Sequence, residues 1–233
     1  MRVPKLSLLT SILSLPILTI ANTEKAIFLA PQPSSNTAQH PTLAPWYLTT
    51  LPVLTSTNFS IRTHLPAQFP SAASPGSESW YLLDDLNPDQ RYEVRVCWAA
   101  TQPTAFTLTT YTVPEVLDDA DLITSLSAYA ASQKPREDAD AKTKTESSKL
   151  LLRVITAADY FTENKKLMTN PEPVYVDLIL DPFLFNVLPR SLVPTVGYIA
   201  ALVPVAWVVA RWVSGAMVRV ARGGEDVNVK KHN

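Results

Sequence analysis

The sequence has little glycine, one cysteine and few histidines. Its 233 residues include 5 glycines, 1 cysteine and 3 histidines. Five glycines are too few to favour the Gly-rich loops that bind phosphates. We therefore do not expect a nucleotide-binding domain. Cys97 has no partner for an internal disulfide or a thiolate metal cluster. We therefore expect Cys97 to be a covered structural thiol and the fold to depend on its core or on partners.

Charge and catalytic motifs are equally sparse. The formal net charge is -1, from 20 basic and 21 acidic residues, which predicts no nucleic-acid partner. His40, His64 and His232 lie far apart in the sequence, so no histidine metal site is expected. The chain contains no nucleophile elbow and no P-loop. The sequence thus predicts no catalytic residues, no metal and no cofactor.

Short β-patterned runs dominate the middle of the chain. The 20 prolines favour extended segments and stiff connections. The predicted strands are 26–30, 46–51, 59–64, 80–83, 91–98, 104–112, 150–155 and 174–180. This spacing predicts a mainly β fold, a β-sandwich with a short helix, over the domain 22–190.

The strongest strand prediction is 91–98. Tyr92, Val94 and Val96 alternate with charged residues, which is the period-two pattern of a strand with one buried face. A turn, Leu86-Asn87-Pro88, precedes the strand. The combination resembles the corner of a fibronectin type III domain, where a Leu-x-Pro turn leads into a strand that carries a tyrosine. It supports a sandwich.

Two acidic pairs invite a catalytic interpretation. Asp119-Ala120-Asp121 looks like the Asp-x-Asp of many glycosyltransferases, but it opens a helix predicted over 118–129, and capping explains it better. Asp84-Asp85 is better explained as a loop pair than as glycosidase carboxylates. The charged, Ala-rich segment 132–149 that follows the helix is predicted to be a flexible insertion.

The two ends predict a single-pass topology. Residues 1–21 have a positive start, an apolar stretch and small residues before Asn22, as in a cleaved signal peptide. The alternative is an uncleaved anchor, but about 15 apolar residues fall short of the roughly 20 that span a bilayer. Residues 191–213 are long and apolar enough to span, and basic residues dominate the tail 214–233. We expect a type I protein with a luminal N-terminus.

The predicted span and its approach offer candidate contact surfaces. Gly197, Ala200 and Ala201 form a small-residue patch on which a partner helix could pack, although ordinary lipid-facing composition explains them equally well. Pro204 is expected to kink the helix. Phe183 and Phe185 are expected at the bilayer surface.

Two short motifs carry information about location. Lys230 and Lys231 stand fourth and third from the carboxyl end and resemble the dilysine retrieval signal read by the COPI coat. Asn58-Phe59-Ser60 is a glycosylation sequon on the predicted luminal side. Together with the topology, they predict residence in the endoplasmic-reticulum membrane.

The overall layout resembles the fungal GPI-mannosyltransferase II co-activator family. The resemblance rests on a signal peptide followed by Asn22-Thr23-Glu24, a compact luminal domain and one C-terminal span. It implies a non-catalytic subunit that binds a multispanning GPI mannosyltransferase and supports transfer of the second mannose from dolichol-phosphate mannose to the GPI precursor. Catalysis would belong to the partner.

Two other classes of function stay open. A p24-like cargo receptor or adaptor also joins a luminal sandwich to one span and a dilysine tail, but it carries a coiled coil and a tail diphenylalanine that this sequence lacks. A luminal glycosidase or transferase ranks third because the acidic residues have no catalytic partners.

Overall fold

The computed structural model describes residues 22–33, 49–134 and 148–229, with side chains up to residue 219. The chain divides into two units, Met1–Leu180 and Asp181–Asn233. The first unit contains most of the two β-sheets. The second contains the last strand residues, a tight turn, a short 3-10 segment and one long helix.

Nine strands form two sheets in the part of the chain that the structure describes. They are β1 Thr23–Leu29, β2 Val53–Leu54, β3 Ser60–Leu65, β4 Ser77–Leu86, β5 Arg91–Trp98, β6 Thr104–Thr112, β7 Ser148–Ala158, β8 Val174–Leu184 and β9 Leu188–Pro189. One sheet has the order β1-β5-β8-β3, with β9 paired to β8, and the other has the order β2-β4-β7-β6. The pairs β1–β5, β3–β8, β4–β7 and β6–β7 are antiparallel, and β2–β4 is parallel.

Among the described residues, four helices with both ends defined accompany the strands. They are α1 Val113–Asp118, α2 Ala120–Ser132, α3 Lys165–Thr169 and α4 Val193–Val229, and a 3-10 turn, Arg190–Leu192, precedes α4. The fold is therefore mainly β with short helices and one long apolar helix, as the sequence predicts.

One apolar core lies between the two sheets. Tyr92, Val94 and Val96 of β5 are fully buried there, in the alternating phase that the sequence predicts. Leu152 and Val154 of β7 enter the same core from the other sheet. Because inward-facing side chains of both sheets share this core, the architecture is a β-sandwich.

The helices α1 and α2 cover the outer face of the second sheet. Trp80 of β4 and Leu151 of β7 pack there against Val116, Leu126 and Ala130 in a separate apolar cluster. Strands β4 and β7 are consequently buried on both faces. This explains why their sequences contain continuous apolar runs rather than a simple alternation.

The turn between β4 and β5 carries the chain from one sheet to the other. The buried hydroxyl of Tyr92 accepts a hydrogen bond of 3.0 Å from the backbone N–H of Asn87 and donates one of 3.0 Å to Gln90 Oε1. This is the geometry of a tyrosine corner, in which a tyrosine at the start of a strand bonds the backbone a few residues upstream. The predicted corner is confirmed.

Several local predictions need correction. Residues 46–51 are not a strand in the part that the structure describes, because Thr49 and Thr50 are helical. The helix α1 is absent from the sequence predictions, although Thr112 and Glu115 form a capping box at its start. The predicted insertion 132–149 ends too late, because β7 begins at Ser148, and residues 135–147 lie outside the described residues.

The acidic pair Asp84-Asp85 lies within β4 rather than in a loop. The pairing of β4 with β7 shifts register between Leu83 and Leu86, and Asp85 has a φ of 55°. A residue in the left-handed region inside a shifted ladder marks a β-bulge. The pair therefore occupies a local irregularity of the strand.

Candidate membrane and partner surface

One helix among the described residues could cross a membrane. The segment Arg190–Arg219 has 30 residues and a mean hydropathy of 2.0 in its most apolar stretch, none of which is buried. At 1.5 Å per residue, α4 is longer than the roughly 30 Å of a bilayer's hydrocarbon core. An apolar helix surface of this length needs a covering, either lipid or other helices.

The helix has a cation and aromatic rings near one end of its apolar stretch. The Arg211 guanidinium carbon lies 5.0 Å from the centre of the Trp207 ring, one helical turn earlier. Trp212 is exposed beside them. Tryptophan and arginine at this position are typical of a membrane boundary, where the ring lies at headgroup level and the cation reaches water.

No residue that the structure describes covers the small-residue patch on α4. Ala200 and Ala201 follow Gly197 by three and four residues, so both lie on its face of the helix, and all three are exposed. A Cβ added at Gly197 would meet no atom within 4 Å. Pro204 lies inside the same helix. The patch has room for close approach of a second helix, and that contact stays a prediction.

A tight turn connects β8 to β9 just before the helix. Phe183 pairs with Pro189 and Leu184 with Leu188, and the Val187 N–H donates to the Leu184 carbonyl at 3.1 Å. Phe185 and its neighbour Asn186 both have left-handed backbones, with φ of 52° and 58°. These six apolar residues and one asparagine place no charge in the turn.

The two phenylalanines of this region differ sharply in exposure. Phe185 is 98% exposed and Val187 is 78% exposed, whereas Phe183 is only 6% exposed. The expectation that Phe183 faces the bilayer surface is therefore wrong, because Phe183 lies within β8 on its buried face. Phe185 follows the end of that strand, where its left-handed backbone breaks the alternation. Phe185 remains available for such a contact.

Asp181 joins the end of the strand to the start of the helical segment. Both of its carboxylate oxygens accept a hydrogen bond from the Ser191 backbone N–H, each at 3.3 Å. Ser191 lies in the 3-10 turn that leads into α4. The carboxylate thus accepts from one of the backbone N–H groups at the start of a helix, which have no partner within the helix itself.

The Asp-x-Asp motif acts as a helix cap. Asp119 Oδ1 accepts hydrogen bonds from the backbone N–H of Asp121 at 2.9 Å and of Leu122 at 3.0 Å. Asp121 follows in the first turn of α2, where a negative charge is favourable. Among the described residues, no three His, Cys, Asp or Glu side chains are grouped to hold a metal ion.

The sandwich also contains a polar cleft that the sequence does not reveal. It has a volume of about 520 Å³ and lies between β3, the start of β4 and the end of α2. The Glu78 carboxylate accepts hydrogen bonds there from Arg153 and Ser125, and the Trp80 Nε1–H donates to Ser125 at 3.0 Å. These groups come from distant parts of the sequence, so no local motif marks them.

The ionisable groups of the cleft bond mainly to one another. Burial by itself raises the pKa of Glu78, but the hydrogen bonds from Arg153 and Ser125 outweigh it, and the net pKa is lowered. Burial raises the pKa of Tyr81 and of Tyr129, which share a hydrogen bond, so both stay neutral. Mutual satisfaction of these groups indicates a structural network that fixes α2 on the sheet.

The remaining predicted residues occupy different places. Asn58 is exposed just before β3, and its backbone N–H donates to Thr55 Oγ1 at 2.8 Å. Cys97 is only partly buried, with Thr23 Oγ1 3.6 Å from its sulfur, so the expected full cover is missing. Lys230 and Lys231 lie outside the described residues.

A β-sandwich followed by one helix that could span a membrane defines the class of this chain, a candidate membrane-anchored β-sandwich protein. The family model described as GPI-mannosyltransferase II co-activator, Pga1, matches residues 12–211, and the chain belongs to that family. A relative described as a GPI mannosyltransferase 2 subunit, from Schizosaccharomyces pombe (strain 972 / ATCC 24843), is 23% identical over 139 residues. That alignment covers 59% of this chain and 57% of the relative. No solved structure matches the chain.

Proposed function

We propose that this chain is a non-catalytic subunit of the GPI mannosyltransferase that adds the second mannose in GPI-anchor assembly. The observation that carries the proposal is the family match over residues 12–211, which includes the sandwich and most of the candidate span Arg190–Arg219. The partner, a multispanning mannosyltransferase, performs the sugar transfer. This chain stabilises or positions that enzyme.

The apolar helix is the proposed means of association. It carries an uncovered small-residue face at Gly197, Ala200 and Ala201, and small residues let helix backbones approach closely within a membrane. Pro204 removes one helical hydrogen bond, and a neighbouring helix can satisfy the carbonyl that it leaves. Both features favour a protein neighbour along this part of the span.

The proposed setting is the endoplasmic-reticulum membrane, with the sandwich in the lumen. Arg211 and Arg219 follow the apolar stretch, so the positive-inside rule supports a cytosolic C-terminus. Lys230 and Lys231 then serve as a retrieval signal for the COPI coat. An exposed Asn58 supports glycosylation on the luminal side.

The first experiment is depletion of the protein followed by labelling of GPI precursors with radioactive mannose. Accumulation of a precursor with one mannose is expected, and dolichol-linked oligosaccharides in the same extract should stay normal. A tagged chain purified in mild detergent should bring down a multispanning mannosyltransferase. Normal precursors combined with delayed export of cargo would instead support the p24-like receptor.

A second experiment separates a subunit from an enzyme. If the chain itself transferred sugar, Asp119→Ala with Asp121→Ala would abolish activity while every protein contact was retained. On the subunit proposal, a variant that still folds and still brings down the partner supports normal mannose transfer.

A further inference from the structure

The turn at residues 184–188 exposes apolar side chains that no described residue covers. Phe185 is 98% exposed and Val187 is 78% exposed, and Leu184 at the base of the turn is also exposed. Scattered single apolar residues are ordinary on protein surfaces, but an almost fully exposed phenylalanine beside two further apolar side chains is a contiguous patch.

The backbone of this turn is held in a conformation that phenylalanine seldom adopts. Phe185 has a φ of 52° and Asn186 a φ of 58°. Asparagine tolerates the left-handed region, but a bulky aromatic residue is disfavoured there. Backbone strain that exposes an apolar ring, rather than burying one, points to a contact outside the chain.

The turn is joined to the apolar helix by a short and fixed connection. Five residues separate Val187 from Val193, where α4 begins. The bond from the Ser191 N–H to the Asp181 carboxylate holds that connection against the end of β8. At about 3.3 Å per extended residue, the tip of the turn lies within about 20 Å of the helix start.

The chemistry of the turn fits lipid better than water. The stretch Leu184-Phe185-Asn186-Val187-Leu188-Pro189 contains no charge, and Arg190 follows it, where a cation can meet lipid phosphates. The headgroup layers together add roughly 10–15 Å to the hydrocarbon core, so they lie within reach of the tip.

We propose that Phe185 and Val187 insert into the boundary between lipid headgroups and acyl chains, as a second membrane contact beside α4. The proposal rests on the membrane placement of α4 in the proposed function. The turn would then set the depth and orientation of the helix's first residues, in addition to the helix's own hydrophobic length.

The test uses the full chain reconstituted alone in phosphatidylcholine nanodiscs. Cys97→Ser removes the single cysteine, and spin labels are then attached separately at Phe185→Cys, Val203→Cys and Lys165→Cys. Val203 is an exposed position of α4, and Lys165 is an exposed cation on α3. Accessibility to oxygen reports lipid exposure, and accessibility to a water-soluble nickel complex reports exposure to water.

We expect the label at position 185 to behave like the one at 203, with relaxation by oxygen several-fold stronger than by nickel, and the label at 165 to show the reverse. If 203 is in lipid but 185 is as accessible to nickel as 165, the turn proposal is wrong while membrane placement of α4 stands. If 203 is also accessible to nickel, both proposals fail. The label at 185 could also be exposed to water in the chain without its partner and become inaccessible to both probes when the co-purified mannosyltransferase is added. That result would show a protein contact and overturn insertion into lipid.

Discussion

The hydroxyl of Tyr92 accepts the backbone N–H of Asn87 at 3.0 Å, five residues upstream and on the other side of the turn that joins the two sheets. The tyrosine is fully buried and its ring stacks on Phe28, with ring centres 5.9 Å apart. The ring therefore stabilises the core while its hydroxyl fixes the crossover. One side chain thus links the packing of the first sheet to the position of β4 in the second.

Tyr92→Phe should destabilise the protein without changing its fold. The ring remains, but the Asn87 N–H and Gln90 Oε1 each lose a partner in a partly buried site, which costs about 1–3 kcal/mol. Urea unfolding of the detergent-solubilised chain measures the change. Tyr175→Phe is the matched control, because Tyr175 is exposed, and its free energy of unfolding should change by less than about 0.5 kcal/mol. Equal effects of the two changes would contradict the corner's role.

This corner was predictable because its signals are local. A proline turn, a tyrosine two residues after Gln90 and a period-two strand lie within about a dozen residues, and each has the same structural meaning. The same holds for Asp119, whose capping role follows from its place before a helical pattern. Agreement of neighbouring signals identified both features without knowledge of the tertiary fold.

Gly76→Ala should be strongly destabilising for a reason that the sequence does not contain. An added Cβ would lie 2.7 Å from the backbone carbonyl oxygen of Thr156, and Gly76 has a φ of 156°. The backbone of β7 would have to move, at a cost of roughly 1–3 kcal/mol. A lower urea midpoint is expected. Gly215→Ala meets nothing within 4 Å and should leave the midpoint unchanged; an unchanged midpoint for Gly76→Ala would mean that β7 yields easily.

The remaining features depend on contacts between distant residues. Glu78 meets Arg153 because β4 pairs with β7, and it meets Ser125 because α2 covers that pair. Thr49 and Thr50 are helical although threonine favours strands. The exposure of Phe185 beside a buried Phe183 likewise depends on the strand that ends between them. Single-sequence patterns do not encode such neighbours.

Asp119→Ala should weaken α2 through the loss of its cap. Two backbone N–H groups lose their acceptor, which costs about 0.5–2 kcal/mol, whereas Asp119→Asn should retain most of the stability. Urea unfolding measures both. Asp121→Ala removes a charge from the first turn but no cap, so its effect should be smaller. A larger effect at Asp121 would reveal a role other than capping.

The Glu78–Arg153 pair should make stability fall in acid. The folded-state pKa of Glu78 is lowered from 4.5, so its contribution is fully present above that value and is lost as pH falls through the lower folded pKa. The difference in urea midpoint between the natural chain and Glu78→Gln should therefore be largest near neutral pH and shrink below about pH 4.5. Asp177→Asn is the comparison. Arg62 also lowers the pKa of Asp177, but that pair is exposed, so its loss should cost less. If the difference in urea midpoint between the natural chain and Glu78→Gln instead grows as the pH falls, the direction assigned to the pKa shift of Glu78 is wrong.

Gly197→Leu should disrupt partner association without disturbing the fold. No described residue lies within 4 Å of a Cβ added at Gly197, so the larger side chain has space in the described part of the chain. It would, however, block close approach of a second helix to the Gly197, Ala200 and Ala201 face. Recovery of the mannosyltransferase with a tagged chain should fall several-fold, with unchanged urea unfolding of the sandwich. Gly215→Leu is the matched control, since it lies on the same helix outside the patch and also has open space around it. Equal recovery of the mannosyltransferase with Gly197→Leu and Gly215→Leu would show that a large side chain is tolerated on the small-residue face as well as outside it. The partner contact would then belong to another part of the chain.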